Sequence, residues 1–156
     1  PGATHRNVSE IVLNNDLAPT ILDLTKISPG LVMDGRSLVP LLSSNNVSAS
    51  TRKRFLVEFL STSYFSIPIF PTFSAIRTGS EDTIVPNSYY VEWDDGEKEF
   101  YDLAKDPYQL NSTHETLSPA VQNYLSTLIT QFKTCTGQAC RDLENQSSGS
   151  LKIKKV

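Results

Sequence analysis

Histidine and cysteine are scarce in this chain, and each scarcity removes a class of chemistry. The two histidines among 156 residues are His5 and His114. Nothing in the sequence pairs them with a Ser/Asp set or a metal-ligand spacing, so they read as surface residues. The two cysteines, Cys135 and Cys140, lack the Cys-x-x-Cys spacing, and no second pair completes a tetrahedral metal site. A local disulfide closing a small loop is the reading, with two free thiols in a reducing compartment as the alternative. No run is long and apolar enough to cross a bilayer. The net charge of -3 offers no basic surface, so neither nucleic acid nor an anionic membrane is an expected partner. An initiator Met and an apolar leader are absent before Pro1-Gly2, which reads as a start inside something longer or after processing.

What the chain does hold is a length that fits one domain and four Asn-x-Ser/Thr sequons, at Asn7, Asn46, Asn111 and Asn145. Together with the cysteine pair, they favour a secreted, extracellular or lumenal (lysosome-like) glycoprotein.

The strongest local signal is Tyr89-Tyr-Val-Glu-Trp-Asp-Asp-Gly-Glu-Lys-Glu-Phe-Tyr-Asp-Leu103, two strand-like runs around Asp-Asp-Gly. A two-residue loop would set Glu92 opposite Glu99. A three-residue loop with Gly96 left-handed sets Glu92 opposite Lys98 and Tyr90 opposite Phe100. Cross-strand pairs differ by roughly 0.2–1 kcal/mol, enough to favour the second register. Asp94, Asp95 and Glu97 therefore read as turn residues and not as a cation site.

Further strands are expected at about 55–60 and 73–78. Helices are expected at 17–26, capped by Asp16 and stopped by Pro29-Gly30, and at 119–133, capped by Ser118. Leu17, Ile21 and Leu24 form a stripe on a helix too short to stand alone. Residues 43–54 read as an exposed loop, Gly79–Ser88 as an irregular insert, and 142–156 as a disordered tail.

Several blocks resemble type I sulfatases, in the family's order. Asn15-Asp-Leu-Ala-Pro-Thr-Ile-Leu-Asp-Leu24 and Met33-Asp-Gly-Arg-Ser-Leu-Val-Pro-Leu-Leu42 are similar to "D-L-x-P-T-x-L-D-L" and "D-G-x-S-L-x-P-L-L". Glu99-Phe-Tyr-Asp-Leu103 with Asp106-Pro-Tyr-Gln-Leu-Asn111 resembles "E-L-Y-D-L-x-x-D-P-x-E-x-x-N". Phe132-Lys-Thr-Cys-Thr-Gly-Gln-Ala-Cys-Arg141 is similar to the ending of N-acetylglucosamine-6-sulfatases and related arylsulfatases.

The resemblance implies a sulfuric ester hydrolase acting on a sulfated carbohydrate or aryl sulfate, with a formylglycine and calcium. Neither cysteine lies in the "C-x-P/A-x-R" context that yields formylglycine, so both cofactors are expected in an N-terminal catalytic part outside this chain. That part of the same sulfatase is then the principal partner. This chain is expected to carry no catalytic, cofactor-binding or metal residues, and His5, Glu58 and Arg77 are its candidates for shaping a substrate cleft.

The implied fold class is α+β. Residues 1–50 end an alkaline-phosphatase-like α/β core, and 51–141 form a C-terminal subdomain of about four antiparallel strands packed on the last helix. A non-catalytic glycoprotein module is the alternative, binding a partner protein or stacking sugars on Trp93, Tyr89, Tyr90, Tyr101 or Tyr108. A phosphate or phosphonate ester hydrolase of the same superfamily is a further one.

Overall fold

The hairpin forms in the register that its charges favour. Tyr90 pairs with Phe100 and Glu92 with Lys98, Lys98 Nζ sits 2.9 Å from Glu92 Oε1, and Gly96 takes a φ of +95°. Only glycine adopts such a φ at little cost, and it closes the three-residue loop. Residues 7, 10–43, 52–61, 63–64, 67–68 and 71–146 are described by this computed structural model. His5, Asn46 and the chain from 147 onward lie outside them.

In chain order the elements are α1 (Leu17–Thr25), α2 (Val39–Ser43), β1 (Arg54–Phe59), β2 (Ser63–Tyr64), β3 (Ile67–Pro68), β4 (Phe73–Thr78), β5 (Ser88–Trp93), β6 (Lys98–Asp102), α3 (Pro119–Thr134) and α4 (Gln138–Asn145). Short 3-10 turns occupy Asn14–Asp16 and His114–Thr116. The chain divides into two compact units, 1–52 with 135–146 and 53–134 with 147–156.

The second of these, the sheet unit, is an antiparallel sheet in the order β1-β4-β5-β6. Strand parity aligns Leu56, Ile76, Tyr90 and Phe100 in one row on one face. α3 belongs to that face: its Ser126 bonds to Tyr90 and Glu92, and its Lys133 to Ser74. The α3 stripe of Val121, Leu125, Leu128, Ile129 and Phe132 is buried. Each such side chain contributes about 1.5–3 kcal/mol relative to exposure. β2 and β3 form a two-residue ladder inside a stretch that sequence reads as plain connection.

The insert between β4 and β5 is more ordered than its polar sequence implies. Asp82 is buried, accepts the amides of Ile84 and Val85, and pairs with Arg54 at 2.7 Å. Arg54, expected at the end of an exposed loop, is 1% exposed.

The other unit has a polar centre. α1 ends at Lys26, whose φ of +58° and bonds to Asp23 and Leu22 carbonyls cap it, so it stops before Pro29-Gly30. Asp16 occupies the position before α1 but makes no side-chain cap, because its carboxylate is used elsewhere. α4 is an addition to the expected fold. It extends to Asn145, so 142–145 is helix and not tail. The segment 135–146 groups with the first unit and not with the sheet.

Candidate functional site

Asp16 organises the polar-centred unit. Its carboxylate is 0% exposed, and its Oδ1 and Oδ2 accept Arg52 Nη2 and Nη1 at 2.9 and 2.8 Å. The backbone amides of Leu13 and Arg36 donate to it at 2.8 and 2.9 Å. Burial pushes the Asp16 carboxyl up, but the Arg52 guanidinium and these two amides outweigh it and hold the group below the usual aspartate value. Glu144 of α4 joins from the other side, pairing with Arg36 and with Arg52 Nε at 2.9 Å. Two carboxylates and two guanidiniums thus neutralise one another away from water. Arg52, like Arg54, belongs to a stretch expected to be exposed, yet it is 3% exposed.

Gly35 lets this centre form. A Cβ there would lie 2.0 Å from the Asn15 carbonyl oxygen, so only glycine brings the Arg36 amide onto Asp16. Thr20 and Ser37 support the same crossing: the Leu38 amide donates to Thr20 Oγ1 at 2.9 Å, and Ser37 donates to Asp23 at 2.7 Å. The Cys135–Cys140 disulfide forms as expected, at the head of the helix that carries Glu144. A cavity of about 300 Å³ opens here, lined by Ile11, Arg36, Leu38, Leu41, Arg52 and Arg141 among others.

Glu58 and Arg77 do not share a cleft. Glu58 opposes Ser74 and bonds to it at 3.3 Å on the α3 face, 3.9 Å from Lys133 Nζ. It is a structural pair. Arg77, three residues after Ser74, lies on the other face in a row with Phe55, Tyr89 and Tyr101. It is half-buried, and Nη1 donates to the carbonyls of Thr78 and Ser88. Burial pushes the guanidinium down, and no carboxylate pairs with it among the described residues.

The same face carries a second cluster. Phe73 stands between Phe59 and Trp93, with ring centroids 6.0 and 5.1 Å away. These three and Pro71 line an open apolar pocket of about 370 Å³. Glu99 accepts the Trp93 indole at 3.1 Å and the Tyr101 hydroxyl at 2.8 Å. Burial and Glu99 push the Tyr101 phenol up to about 12. Tyr90, a candidate for sugar stacking, is 0% exposed and stacks instead on His114 at 6.1 Å. That removes it from any ligand surface, and it covers most of His114, which sequence places at the surface.

No group of three or more His, Cys, Asp or Glu side chains that could hold a metal occurs among the described residues. Both cysteines are in the disulfide, and the buried aspartates Asp16 and Asp82 are held by arginines. These residues do not fit either a formylglycine or a calcium centre. No helix among the described residues is long and apolar enough to cross a membrane.

Comparison with known proteins agrees with the sequence motifs. The family described as N-sulphoglucosamine sulphohydrolase, C-terminal, matches residues 1–136. N-acetylglucosamine-6-sulfatase of Bos taurus is 30% identical over 167 aligned positions, covering 90% of this chain and 29% of that protein. The Homo sapiens protein of the same name is 29% identical, with 90% and 30% covered. This chain therefore spans less than a third of the curated relatives that it matches along most of its length. Phosphonate monoester hydrolase of Agrobacterium radiobacter has the same fold over 80% of this chain and 25% of its own, with a TM-score of 0.61 at 23% identity. A protein solved in complex with its substrate D-glucosamine-2-N,6-O-disulfate superposes with a TM-score of 0.58 at 23% identity, over 83% of this chain and 24% of its own. The chain belongs to the family of C-terminal N-sulphoglucosamine sulphohydrolase domains, the C-terminal domain of a sulfatase.

Proposed function

We propose that this domain braces and walls the substrate cleft of an intact sulfuric ester hydrolase whose chemistry is supplied by the rest of that enzyme. The family match over 1–136 carries the reading. The lack of fit to a formylglycine or calcium centre supports placing both cofactors in the larger part of the enzyme. This chain contributes position and charge: the half-buried Arg77 offers donors to an anion, and the aromatic face beside it offers flat apolar area.

The substrate class proposed is a 6-sulfated N-acetylglucosamine unit, after the names of the relatives at 29–30% identity, in a secreted or lumenal setting. The exposed stripe of Leu17, Ile21 and Leu24 fits docking onto the α/β core of the same enzyme. In the test, the full-length enzyme releases sulfate from a 6-sulfated sugar or aryl sulfate in a calcium-dependent way, and the purified 156-residue chain does not. Turnover by the chain alone would refute the proposal. A phosphonate monoester is the second substrate class, favoured by the shared fold with that hydrolase. Parallel assays on the two ester types decide between them.

A further inference from the structure

Of the four sequons, the structure separates two, Asn111-Ser-Thr and Asn145-Gln-Ser. Asn111, Ser112 and Thr113 are all exposed. The Asn111 carboxamide makes no hydrogen bond among the described residues, while its backbone is fixed. Its amide donates to Asp106 Oδ2 at 2.9 Å, following the left-handed Gln109 at φ +56°. The next two residues are tied to the outer strand β6: the Phe100 amide donates to Ser112 Oγ at 3.2 Å, and the Thr113 amide donates to the Phe100 carbonyl at 2.8 Å. The side chain of Asn111 is therefore presented outward from a rigid turn. Beside it runs a groove of about 430 Å³ lined by Val85, Pro86, Asp102, Lys105 and Leu117 among others, with room and mixed polarity for a sugar.

Asn145 is the opposite case. It sits in α4, half-buried, and its Oδ1 accepts Arg36 Nη1 at 2.9 Å. A sugar on that carboxamide would stand against the Arg36–Glu144 pair and push α4 away.

We propose that Asn111 carries an N-linked glycan and that Asn145 stays unmodified in the folded protein. The inference rests on the secretory reading of the parent enzyme. In the transfer, the Asn111 carboxamide nitrogen bonds to C1 of an N-acetylglucosamine whose lipid pyrophosphate departs, and the nitrogen gives up one proton.

The test uses the full-length enzyme secreted from a eukaryotic cell, digested to peptides after enzymatic deglycosylation in heavy-oxygen water. The expected result is heavy aspartate at position 111 and unaltered asparagine at 145. Asn111→Gln should remove one glycan's worth of gel mobility, and Asn145→Gln none. A protein glycosylated elsewhere but bare at Asn111, or carrying sugar at Asn145, overturns this assignment alone. A protein bare at every sequon overturns the secretory reading and this assignment with it.

Discussion

The two units differ in the balance of surface they bury. In the sheet unit the interior is mainly apolar, with Ile76, Val85, Tyr90, Phe100, Val121 and Leu125 all at 5% exposure or less, beside one buried Arg54–Asp82 pair. In the other unit Cys140 is the one buried apolar side chain among the described residues, and the other buried side chains are those of Asp16, Thr20, Arg52 and Glu144. That same unit leaves Val12, Leu17, Ile21, Leu24, Ile27, Leu31, Val32 and Leu42 between 49 and 71% exposed. The hydrophobic effect cannot drive such an arrangement by itself. The sheet unit thus has an apolar interior of its own, and the other unit leaves its apolar stripe uncovered among the described residues, as the proposed docking onto the rest of the enzyme requires.

Breaking the charged centre should have the largest effect. Asp16→Ala strands the Arg52 guanidinium in a dry site, and removing one partner of a buried pair costs about 3–5 kcal/mol. Limited proteolysis of the full-length enzyme should then cut within the first unit while α3 and the sheet stay protected. Replacing both partners with apolar residues of similar size should restore much of the loss.

Leu125→Ala sharpens the contrast from the other side. A cavity under α3 should cost roughly 2–5 kcal/mol and lower the melting transition of the sheet unit, leaving the proteolytic pattern of the first unit unchanged.

How far each unit was legible in the sequence follows the same division. Period-two and period-3.6 apolar patterns, a hairpin glycine and a Ser-Pro cap place β5, β6 and α3 to within a residue, because the forces there are the ones these patterns record. Arginine has no such pattern. Arg52 and Arg54 sit in a polar stretch and read as surface, and only their partners at Asp16 and Asp82, 36 and 28 residues away, take them inside. Asp16 reads as a helix cap for the same reason: its local geometry is right, but a distant guanidinium claims its oxygens. α4, with Glu144 as its anchor and little apolar content, resembles a solvated tail until that anchor is known. Arg77 was singled out as a cleft candidate, but the face it occupies is fixed by strand register alone.

Smaller effects complete the series. Removing the disulfide by Cys135→Ser and Cys140→Ser should cost about 2 kcal/mol from the ring it closes. The loss should appear first as faster amide exchange in α4. Acid should act through Asp16, whose carboxyl is held below its ordinary value. Its contribution is present above the unfolded aspartate value of about 3.9 and is lost as pH falls through the lower folded value. Denaturant unfolding should therefore show the first unit intact at about pH 5 and failing only in stronger acid, and Asp16→Asn should flatten that dependence.

The most direct test of the inside-out unit is the stability cost of Ile21→Ser, measured by denaturant unfolding in the isolated chain and in the full-length enzyme. Ile21 is 61% exposed here, so the isolated chain should change by no more than about 0.5 kcal/mol. In the full-length enzyme the proposed docking of α1 predicts a cost of roughly 1.5–3 kcal/mol for the same substitution. An equal cost in both, or none in the full-length enzyme, would contradict the account.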